Sequence, residues 1–353
     1  MLNQFWTTCV MAALTASPAF AGEVSLSSKG HATNPTWSRG TGRLAVEVND
    51  MANRIDMFVV DVSSGSVGRA NPVSLPGGNA TFGSSSVVAS SPVWHPEVLV
   101  LTGAVSGREF RLFFTPPNGG QASELLQRTQ VDGALSFPTV SPDGQEFAFV
   151  SARSGSGDIL LYNRATGGVS DLVRSSSPET FPSYGRDGKR LYFTRRKADR
   201  EEIVSVPSGG GSETIVATGK GYRSRPVEAA GGRLVYFVKS SGSEEWRIAS
   251  NAISGGSEKI IARGVALPER AAPALSPDGQ WVFYGVTDPV AAQAIYAVNI
   301  TNGKTMVVPT RLVGAREPAV GMAGGKMMLA FTALPGEGAD WRQLHVIDVS
   351  DKF

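Results

Sequence analysis

Seven prolines open similar short phrases along the chain, and the regular spacing of these phrases constrains the fold more than any other feature. The first interval is 57 residues and the others are 44 to 47 residues. Self-similarity at such a period is typical of propellers and solenoids, in which each repeat is one supersecondary unit. The seven key prolines, which number the repeats from 1 to 7, are Pro35, Pro92, Pro138, Pro182, Pro226, Pro273 and Pro318.

The third repeat shows what one unit contains. Residues 137–140 predict a short strand, and residues 141–144 read Ser-Pro-Asp-Gly, which favours a type I turn. The apolar run at 147–150 predicts a strand covered on both faces. Two more strands are predicted at 158–162 and 171–173, joined by a glycine turn. Four consecutive strands without an intervening helix predict one antiparallel blade of an all-β propeller.

The seventh repeat lacks an outer strand of its own, because the chain ends at Phe353 soon after the strand predicted at 344–349. Residues 24–27 resemble the missing strand, so we expect them to pair with the last blade and close the ring. Such pairing removes two exposed sheet edges. The sequence therefore predicts a seven-bladed β-propeller of four-stranded antiparallel blades, closed by the N-terminal strand. A six-bladed propeller is the alternative.

The first 21 residues predict a secretory signal peptide. The apolar run at 9–14 is followed by Ala19, Phe20 and Ala21, which fit a cleavage site of the A-x-A type. Cleavage after Ala21 leaves residues 22–353 as a single propeller domain, periplasmic or secreted. The apolar run is too short to span a membrane. The only cysteine lies inside the segment that is removed, so the mature protein has no disulfide, zinc–thiolate site or cysteine nucleophile.

Composition argues against several classes of function. There are 33 basic and 31 acidic residues, and a net charge of +2 gives no argument for binding nucleic acid. The three histidines, His31, His95 and His345, are too few for the metal centres of propeller lyases. We expect His95 and His345 to be structural, whereas His31 precedes repeat 1 and is placed near a channel mouth. Since no Gly-x-Ser-x-Gly elbow and no phosphate loop occurs, we predict no catalytic residue, no metal and no cofactor.

The repeat motif resembles that of the TolB-like β-propeller family. It reads Pro-x-Φ-Ser-Pro-Asp-Gly, followed by an apolar strand and Asp-Ile-Leu-Leu-Tyr, with the best copies at 138–162, 182–206 and 273–298. The resemblance covers roughly residues 23–353 and implies a propeller of the cell envelope that binds a protein or a glycan at one mouth of its channel. The sequence departs from TolB, which has six blades, in its seven repeats. It also carries a Gly- and Ser-rich insertion at 76–86, which predicts a surface loop.

One face of the predicted propeller gathers basic side chains. The residues before each key proline and the loops between second and third strands should meet there, and in repeats 4 to 7 they are rich in arginine. We interpret this rim as a binding patch for an acidic partner, with Tyr222 as an aromatic anchor. The predicted site residues are Arg195, Arg196, Lys197, Arg200, Tyr222, Arg223, Arg225, Arg270 and Arg316.

These observations favour a non-catalytic binding propeller of the bacterial cell envelope that acts as a protein-interaction scaffold. Its expected partner is an envelope protein or an anionic glycan, and the propeller is expected to be a monomer within a larger complex. No nucleic acid partner and no membrane span are expected. Two alternatives stay open here: a periplasmic enzyme of the polysaccharide-lyase or lactonase kind, and a sensor of an anionic sugar.

Overall fold

The computed structural model describes most of the protein beyond its first residues. The described residues are 20–24, 26, 29–77, 87–105, 108–336 and 338–353. Residues 1–19, which form most of the predicted signal peptide, lie outside them, and so do residues 78–86 of the predicted insertion. Within the described part of the protein, no helix has the length and apolar character needed to cross a membrane.

The described elements are strands, apart from one short 3₁₀ turn. The first strand, β1 (Phe20–Val24), precedes the repeats. Repeat 1 contains β2 (His31–Trp37), β3 (Arg43–Asn49), β4 (Ile55–Asp61) and β5 (Ala70–Ser74). Repeat 2 contains β6 (Val87–Trp94), β7 (Leu99–Val105), β8 (Arg111–Thr115), β9 (Gly120–Gln121) and β10 (Ser123–Glu124). Repeat 3 contains β11 (Leu135–Val140), β12 (Glu146–Ser151), β13 (Asp158–Asn163) and β14 (Val169–Val173).

The later repeats continue the same series. Repeat 4 contains β15 (Glu179–Tyr184), β16 (Arg190–Arg196), β17 (Glu201–Pro207) and β18 (Thr214–Ala217). Repeat 5 contains β19 (Gly221–Ala229), β20 (Arg233–Ser240), β21 (Arg247–Ala252) and β22 (Lys259–Ala262). Repeat 6 contains β23 (Ala274–Leu275), β24 (Trp281–Tyr284), the 3₁₀ turn (Ala291–Gln293), β25 (Ala294–Asn299) and β26 (Thr305–Pro309). Repeat 7 contains β27 (Val313–Ala323), β28 (Lys326–Leu334) and β29 (Gln343–Asp348).

Repeats 3 to 6 each form a separate four-stranded antiparallel sheet in which the strands follow sequence order. In repeat 3, β12 pairs with β11 on one side and with β13 on the other, and β14 is outermost. This is the arrangement predicted for a blade, and the all-β class is confirmed.

Repeats 1 and 2 share one sheet, which departs from the predicted separate blades. The outer strand of repeat 2 is interrupted: β10 pairs with β8 of its own repeat, whereas β9 pairs in parallel with β5 of repeat 1. Between them, Ala122 is buried and its N–H donates to the carbonyl of Ser74 (2.8 Å). A parallel bridge from Ile55 to Val88 makes a second link. The outer strand of repeat 2 therefore divides its hydrogen bonds between two repeats.

The Ser-Pro-Asp-Gly turns are held by their own side chains, as the sequence predicts. The hydroxyl of Ser141 donates to Oδ1 of Asp143 (2.6 Å) and accepts from the N–H of Glu146 (2.9 Å). Gly144 has a φ of 74°, which glycine adopts without strain. Short polar side chains that bond to the nearby backbone favour such turns. In repeat 6, the hydroxyl of Ser276 likewise donates to Oδ1 of Asp278 and accepts from the N–H of Trp281.

The apolar core lies between neighbouring sheets. Phe149 of β12 belongs to a cluster with Leu112 of repeat 2, whereas the adjacent Val150 belongs to a cluster with Phe193 of repeat 4. Successive side chains of a strand point to opposite faces, so both faces of this sheet are covered by other sheets. This double coverage explains why the middle strands are nearly continuous apolar runs.

The first strand of each repeat lines a shared cavity of about 330 Å³. In six repeats the pairing of the first two strands shifts register at the key proline, as it does between Ser136 and Thr139 of repeat 3. The residue before the proline then has a positive φ. These residues are Asn34 (50°), Ser91 (53°), Phe137 (48°), Phe181 (52°), Arg225 (59°) and Glu317 (51°).

This conformation is unfavourable for a residue other than glycine, and about 1–3 kcal/mol is typical for each occurrence. A β-bulge bends its strand and re-aims the side chain at the extra residue. None of the six residues is glycine, and five of them line the large cavity, whereas Glu317 lines a smaller cavity. Repeat 6 departs from the pattern. Ala272, the residue before its key proline, does not have a positive φ, and its first strand, β23, is only two residues long.

The N-terminal strand pairs with the last strand of the protein. β1 runs antiparallel to β29, with Glu23 opposite His345 and Val24 opposite Leu344, so the sheet order is β1-β29-β28-β27. The strand lies earlier than predicted, at 20–24 instead of 24–27. Val24 is buried in an apolar cluster that also contains residues of repeats 1 and 7, and this burial fixes the register.

Repeats 1 and 7 are also joined through Trp37. Its indole N–H donates to the carbonyl of Ala319 (3.0 Å). Gly321 lies so close to the indole that an added Cβ would be 2.5 Å from it. A side chain at position 321 would therefore displace the tryptophan that links these two repeats.

We expect Val24→Ala to lower the free energy of unfolding by about 2 kcal/mol, because it removes two buried methyl groups and leaves a small cavity. The matched control is Glu23→Ala, on the exposed side of the same strand, which should change it by less than about 0.5 kcal/mol. Denaturant titration of both variants measures the difference. Equal effects would contradict the packing of β1 into the core.

Candidate binding face

The strand order brings all nine predicted site residues to one face of the molecule. This face, called the connection face below, carries the links between repeats and the loops between the second and third strands. The Ser-Pro-Asp-Gly turns lie at the opposite ends of the first strands. The role of the nine residues in binding stays a prediction, and their surroundings differ widely.

Arg195 and Arg223 are buried and paired with carboxylates. Arg195 donates to Oε1 of Glu179 (2.8 Å) and, through Nη1 and Nη2, to both oxygens of Glu213 (2.6 and 2.8 Å). Arg223 donates to Glu258 through Nε (2.8 Å) and Nη2 (3.1 Å). The hydrogen bonds to Glu213 raise the pKa of Arg195, although burial opposes this. Bidentate pairs of this kind stiffen repeats 4 and 5 and leave little free charge for a ligand.

Arg225 forms hydrogen bonds to three backbone carbonyls of the link between repeats 5 and 6. Its Nη1 donates to the carbonyls of Pro268 (2.6 Å) and Ala271 (3.1 Å), and its Nη2 donates to the carbonyl of Glu269 (2.9 Å). The guanidinium carbon lies 4.9 Å from the ring centre of Phe181. Burial lowers the pKa of Arg225 to about 10. This side chain supplies hydrogen bonds that the short first strand of repeat 6 does not make.

Four predicted residues line an open groove of about 490 Å³ between repeats 4 and 5, namely Arg196, Lys197, Arg200 and Tyr222. The arginines pair with acidic neighbours, at 3.3 Å for Arg196 and 2.9 Å for Arg200. The ammonium of Lys239 lies 5.3 Å from the ring centres of both Tyr222 and Trp246. The charges of this groove therefore largely compensate one another, and its edge is aromatic.

A buried carboxylate ties three repeats together at the mouth of the large cavity. Glu47 is fully buried, and its Oε1 accepts from the side-chain amide of Asn34 (2.6 Å) and from the N–H of Ser91 (2.8 Å). Its Oε2 accepts from Nη1 of Arg270 (2.9 Å). Burial raises the pKa of Glu47 to about 7, although Arg270 lowers it. Arg270, predicted as a rim cation, thus bridges repeats 6 and 1.

A smaller cavity of about 110 Å³ lies between repeats 1 and 7, and two arginines, Arg316 and Arg342, line it. Arg316 is the only one of the nine predicted residues whose side chain has no partner within the described part of the protein. The second is Arg342, which makes no side-chain hydrogen bond or ion pair there either. Arg342 is the last residue of the loop between the second and third strands of repeat 7, the same position in the repeat that predicted basic site residues in repeat 4.

The three histidines lie apart. His31 lies on the connection face, where its Nδ1 accepts from the N–H of Arg342 (3.1 Å). His95 lies near the Ser-Pro-Asp-Gly turns and contacts Arg164 (2.7 Å), and His345 is buried in β29. Burial lowers the pKa of all three. Among the residues that the structure describes, no three His, Cys, Asp or Glu side chains converge as metal ligands do.

The connection face also carries exposed apolar side chains. Val290 is 81% exposed and Met51 is 63% exposed, both in loops between second and third strands. Phe110 and Tyr222 are exposed on the same face. Met51 has a φ of 62°, and its N–H donates to Oδ1 of Asn49 (2.8 Å), so a side-chain bond holds the loop in a left-handed conformation.

The raised pKa of Glu47 predicts that stability depends on pH. A carboxyl whose pKa rises from 4.5 to about 7 on folding binds more protons in the folded protein, so the stability it contributes is present below pH 4.5 and lost as pH rises through 7. At about 1.4 kcal/mol per pKa unit, the loss is about 3 kcal/mol.

Glu47→Gln should remove this component of the pH dependence. The measurement is denaturant unfolding of both proteins between pH 4 and pH 9. Parallel pH profiles of the two proteins would contradict the assignment of this titration to Glu47.

Comparison with known proteins supports the family resemblance that the repeat motif indicates. The sequence profile of the TolB beta propeller domain matches residues 120–323, more than half of the chain. TolB from Acinetobacter baumannii is similar in structure, with a TM-score of 0.56 and 20% identity over 79% of this chain and 66% of that chain. A putative TolB from Agrobacterium tumefaciens gives a TM-score of 0.53 and 15% identity over 67% of this chain and 82% of that chain.

A puromycin-hydrolyzing peptidase from Mycobacterium tuberculosis is also similar, with a TM-score of 0.65 and 14% identity. The match covers 95% of this chain but 54% of the peptidase, so this chain spans about half of that protein's length. At such identities the structural likeness shows the fold alone. The family match, the repeated proline motif and the four-stranded sheets around a common cavity agree with one another, and the chain belongs to the TolB β-propeller family.

Proposed function

We propose that the protein is a non-catalytic binding propeller of the cell envelope that captures a protein partner on its connection face. The observation that carries this proposal is the set of exposed apolar side chains that four repeats present on that face, three from loops (Met51, Phe110 and Val290) and one from the start of β19 (Tyr222). Aromatic residues, methionine and arginine are enriched in protein interfaces. The face combines these residue types with the mouth of the large cavity.

We further propose that the repeats form a seven-bladed ring closed by β1. Three observations support it: first strands from all seven repeats line one cavity, β1 pairs with β29, and Trp37 of repeat 1 bonds to Ala319 of repeat 7. A closed ring holds the loops of every repeat on one rigid face. A monomeric propeller with such a face suits a role as scaffold within a larger complex.

The proposed location is the periplasm or the outside of the cell. The resemblance to TolB and the predicted signal peptide support it, with residues 22–353 as the mature domain. Cleavage after Ala21 is compatible with the observed ladder, because the pairs made by Gly22, Glu23 and Val24 with β29 lie beyond the cleavage point.

The arginines of the rim favour a protein over an anionic glycan as the partner. Electrostatic capture of a polyanion uses a series of unpaired cations. Arg195 and Arg223 are instead buried against carboxylates, and Arg196 and Arg200 pair with acidic neighbours. The hydrolase activity named for the mycobacterial neighbour is not carried over, since the identity is 14% and the match covers only 54% of that protein.

Replacing Met51 and Val290 together by serine should abolish capture of the partner from an envelope extract, because both exposed side chains lie on the proposed interface. The matched control replaces Ile215 and Val307, which are 53% and 52% exposed on the outer strands β18 and β26, and should leave capture intact. Captured proteins are identified by mass spectrometry and titrated as purified proteins. The face variant should raise the Kd by about tenfold or more. Equal Kd values for the two variants would contradict the proposed face.

Export predicts a mature protein that starts at Gly22. Intact-mass analysis of protein from the envelope fraction should give the mass of residues 22–353. Retention of residues 1–21 in that fraction would show that cleavage does not occur after Ala21.

A further inference from the structure

The small cavity between repeats 1 and 7 offers more hydrogen-bond donors than free acceptors. It encloses about 110 Å³. The polar residues that line it include His31, Thr33, Glu269, Arg316, Glu317 and Arg342. The two carboxylates balance the two guanidinium groups in formal charge, so the hydrogen bonds decide what this cavity accepts.

Both oxygens of Glu317 accept hydrogen bonds from the backbone, and among the described residues Glu269 makes only long contacts through Oε2. Glu317 accepts two backbone N–H groups, from Asn34 at Oε2 (2.9 Å) and from Glu269 at Oε1 (3.2 Å). The side chain of Glu269 contacts Asn49 (3.5 Å) and Arg270 (3.8 Å). Neither carboxylate forms an ion pair with the two arginines of the cavity among the described residues. The guanidinium groups are therefore near negative charge but not bound by it.

The donors have no acceptors in the described ranges. Arg316 and Arg342 make no side-chain hydrogen bond, and Nε of Arg342 is buried without a partner. The hydroxyl of Thr33, a residue that is 5% exposed, is also unpaired. His31 accepts at Nδ1 from a backbone N–H, so its neutral ring carries the proton on Nε2, which is a further donor. Nε of Arg342 and the hydroxyl of Thr33 are buried, and buried polar groups in folded proteins nearly always have a partner. Arg316 and His31 are half-buried beside them, so the four groups together point to a ligand rich in acceptor atoms.

The mutual repulsion of the basic groups also indicates an anionic ligand. Burial lowers the pKa of Arg342, and so does the nearby Arg316. Burial and both arginines lower the pKa of His31. Three groups that each disfavour the positive charge of the others would all be stabilised by an anion between them.

We propose that this cavity binds a carboxylate group presented by the partner protein, either its carboxyl terminus or an acidic side chain. The planar fork of a guanidinium matches a carboxylate through two parallel hydrogen bonds. A volume of about 110 Å³ corresponds to roughly four water molecules, enough for a carboxylate and the atoms directly behind it. A dianionic phosphate suits the cavity less well, because Glu269 and Glu317 also line it.

Met51 completes the site. It lines the same cavity, and its exposed side chain offers an apolar surface to the residue that carries the carboxylate. The inference rests on the proposed function, since it names the chemistry by which the connection face holds part of its partner.

The test uses three small probes and the indole N–H resonance of Trp341, whose ring centre lies 5.1 Å from that of His31. N-acetyl-leucine carries an α-carboxylate, N-acetyl-aspartic acid α-amide carries only a β-carboxylate, and N-acetyl-leucinamide carries neither. We expect a saturable shift with at least one of the two carboxylates and none with the amide. The probe that binds more tightly identifies a carboxyl terminus or an acidic side chain as the source. A Trp341→Phe variant assigns the resonance.

Variants of the cavity separate a binding role from a structural one. Arg342→Gln should weaken binding of the carboxylate probe at least tenfold, and Arg342→Lys, which keeps the charge without the fork, should weaken it less. Since Arg342 lies near another cation, Arg342→Gln should not lower the midpoint of thermal unfolding. The matched control is Arg174→Gln, which changes an exposed arginine in the link before repeat 4. Since this arginine lies outside the cavity, the variant should bind as the wild type does.

Four results would overturn the proposal. They are no shift with either carboxylate, equal binding by the Arg342→Gln variant, tighter binding of inorganic phosphate, and tighter binding of glucuronate than of either peptide carboxylate. The small probes make this test independent of partner capture. Failed capture with intact carboxylate binding would contradict the proposed partner surface, whereas intact capture without carboxylate binding would contradict only this site.

Discussion

The path of the first strand in six repeats depends on one residue, which stands immediately before the key proline and has a left-handed backbone conformation. Six repeats share this geometry, from Asn34 in repeat 1 to Glu317 in repeat 7. Proline has no N–H and interrupts a ladder wherever it stands, so a bulge at the same place adds little further loss of pairing. The bulge bends each first strand where the strands meet at the cavity. One local device, repeated with the period of the sequence, thus shapes the wall around which the sheets are arranged.

The strain of that conformation is offset by hydrogen bonds between repeats. The N–H of Asn34 donates to Glu317 of repeat 7, and the N–H of Ser91 donates to Glu47 of repeat 1. Repeat 5 is bonded to repeat 4 in the same way, through the N–H of Arg225. In each of these three cases the acceptor is a side chain of a neighbouring repeat. In these three repeats, the backbone N–H at the bulge forms a hydrogen bond that joins neighbouring repeats.

Charge on the connection face has two separate uses. Arg195 and Arg223 are buried in bidentate pairs and stabilise the blades that carry them. Arg316 and Arg342 keep their donors unpaired beside a small cavity, within the described part of the protein. Residues of one type at similar positions in the repeat thus differ in what they offer a partner. A face whose larger charges are mostly compensated, and whose exposed side chains are apolar, suits recognition of a protein surface.

The sequence by itself determined the repeat, the all-β class and the turn chemistry of Ser141 and Asp143, because these depend on contacts within a few residues and on a fixed period. It also predicted that the basic residues share one face, because position within a repeat fixes the end of the sheet at which a residue lies. Only the tertiary structure decided which cations are paired, since Arg270 meets Glu47 across 223 residues of sequence. It likewise set β1 at 20–24 and joined the sheets of repeats 1 and 2, because both pairings depend on distant edges that no local pattern encodes.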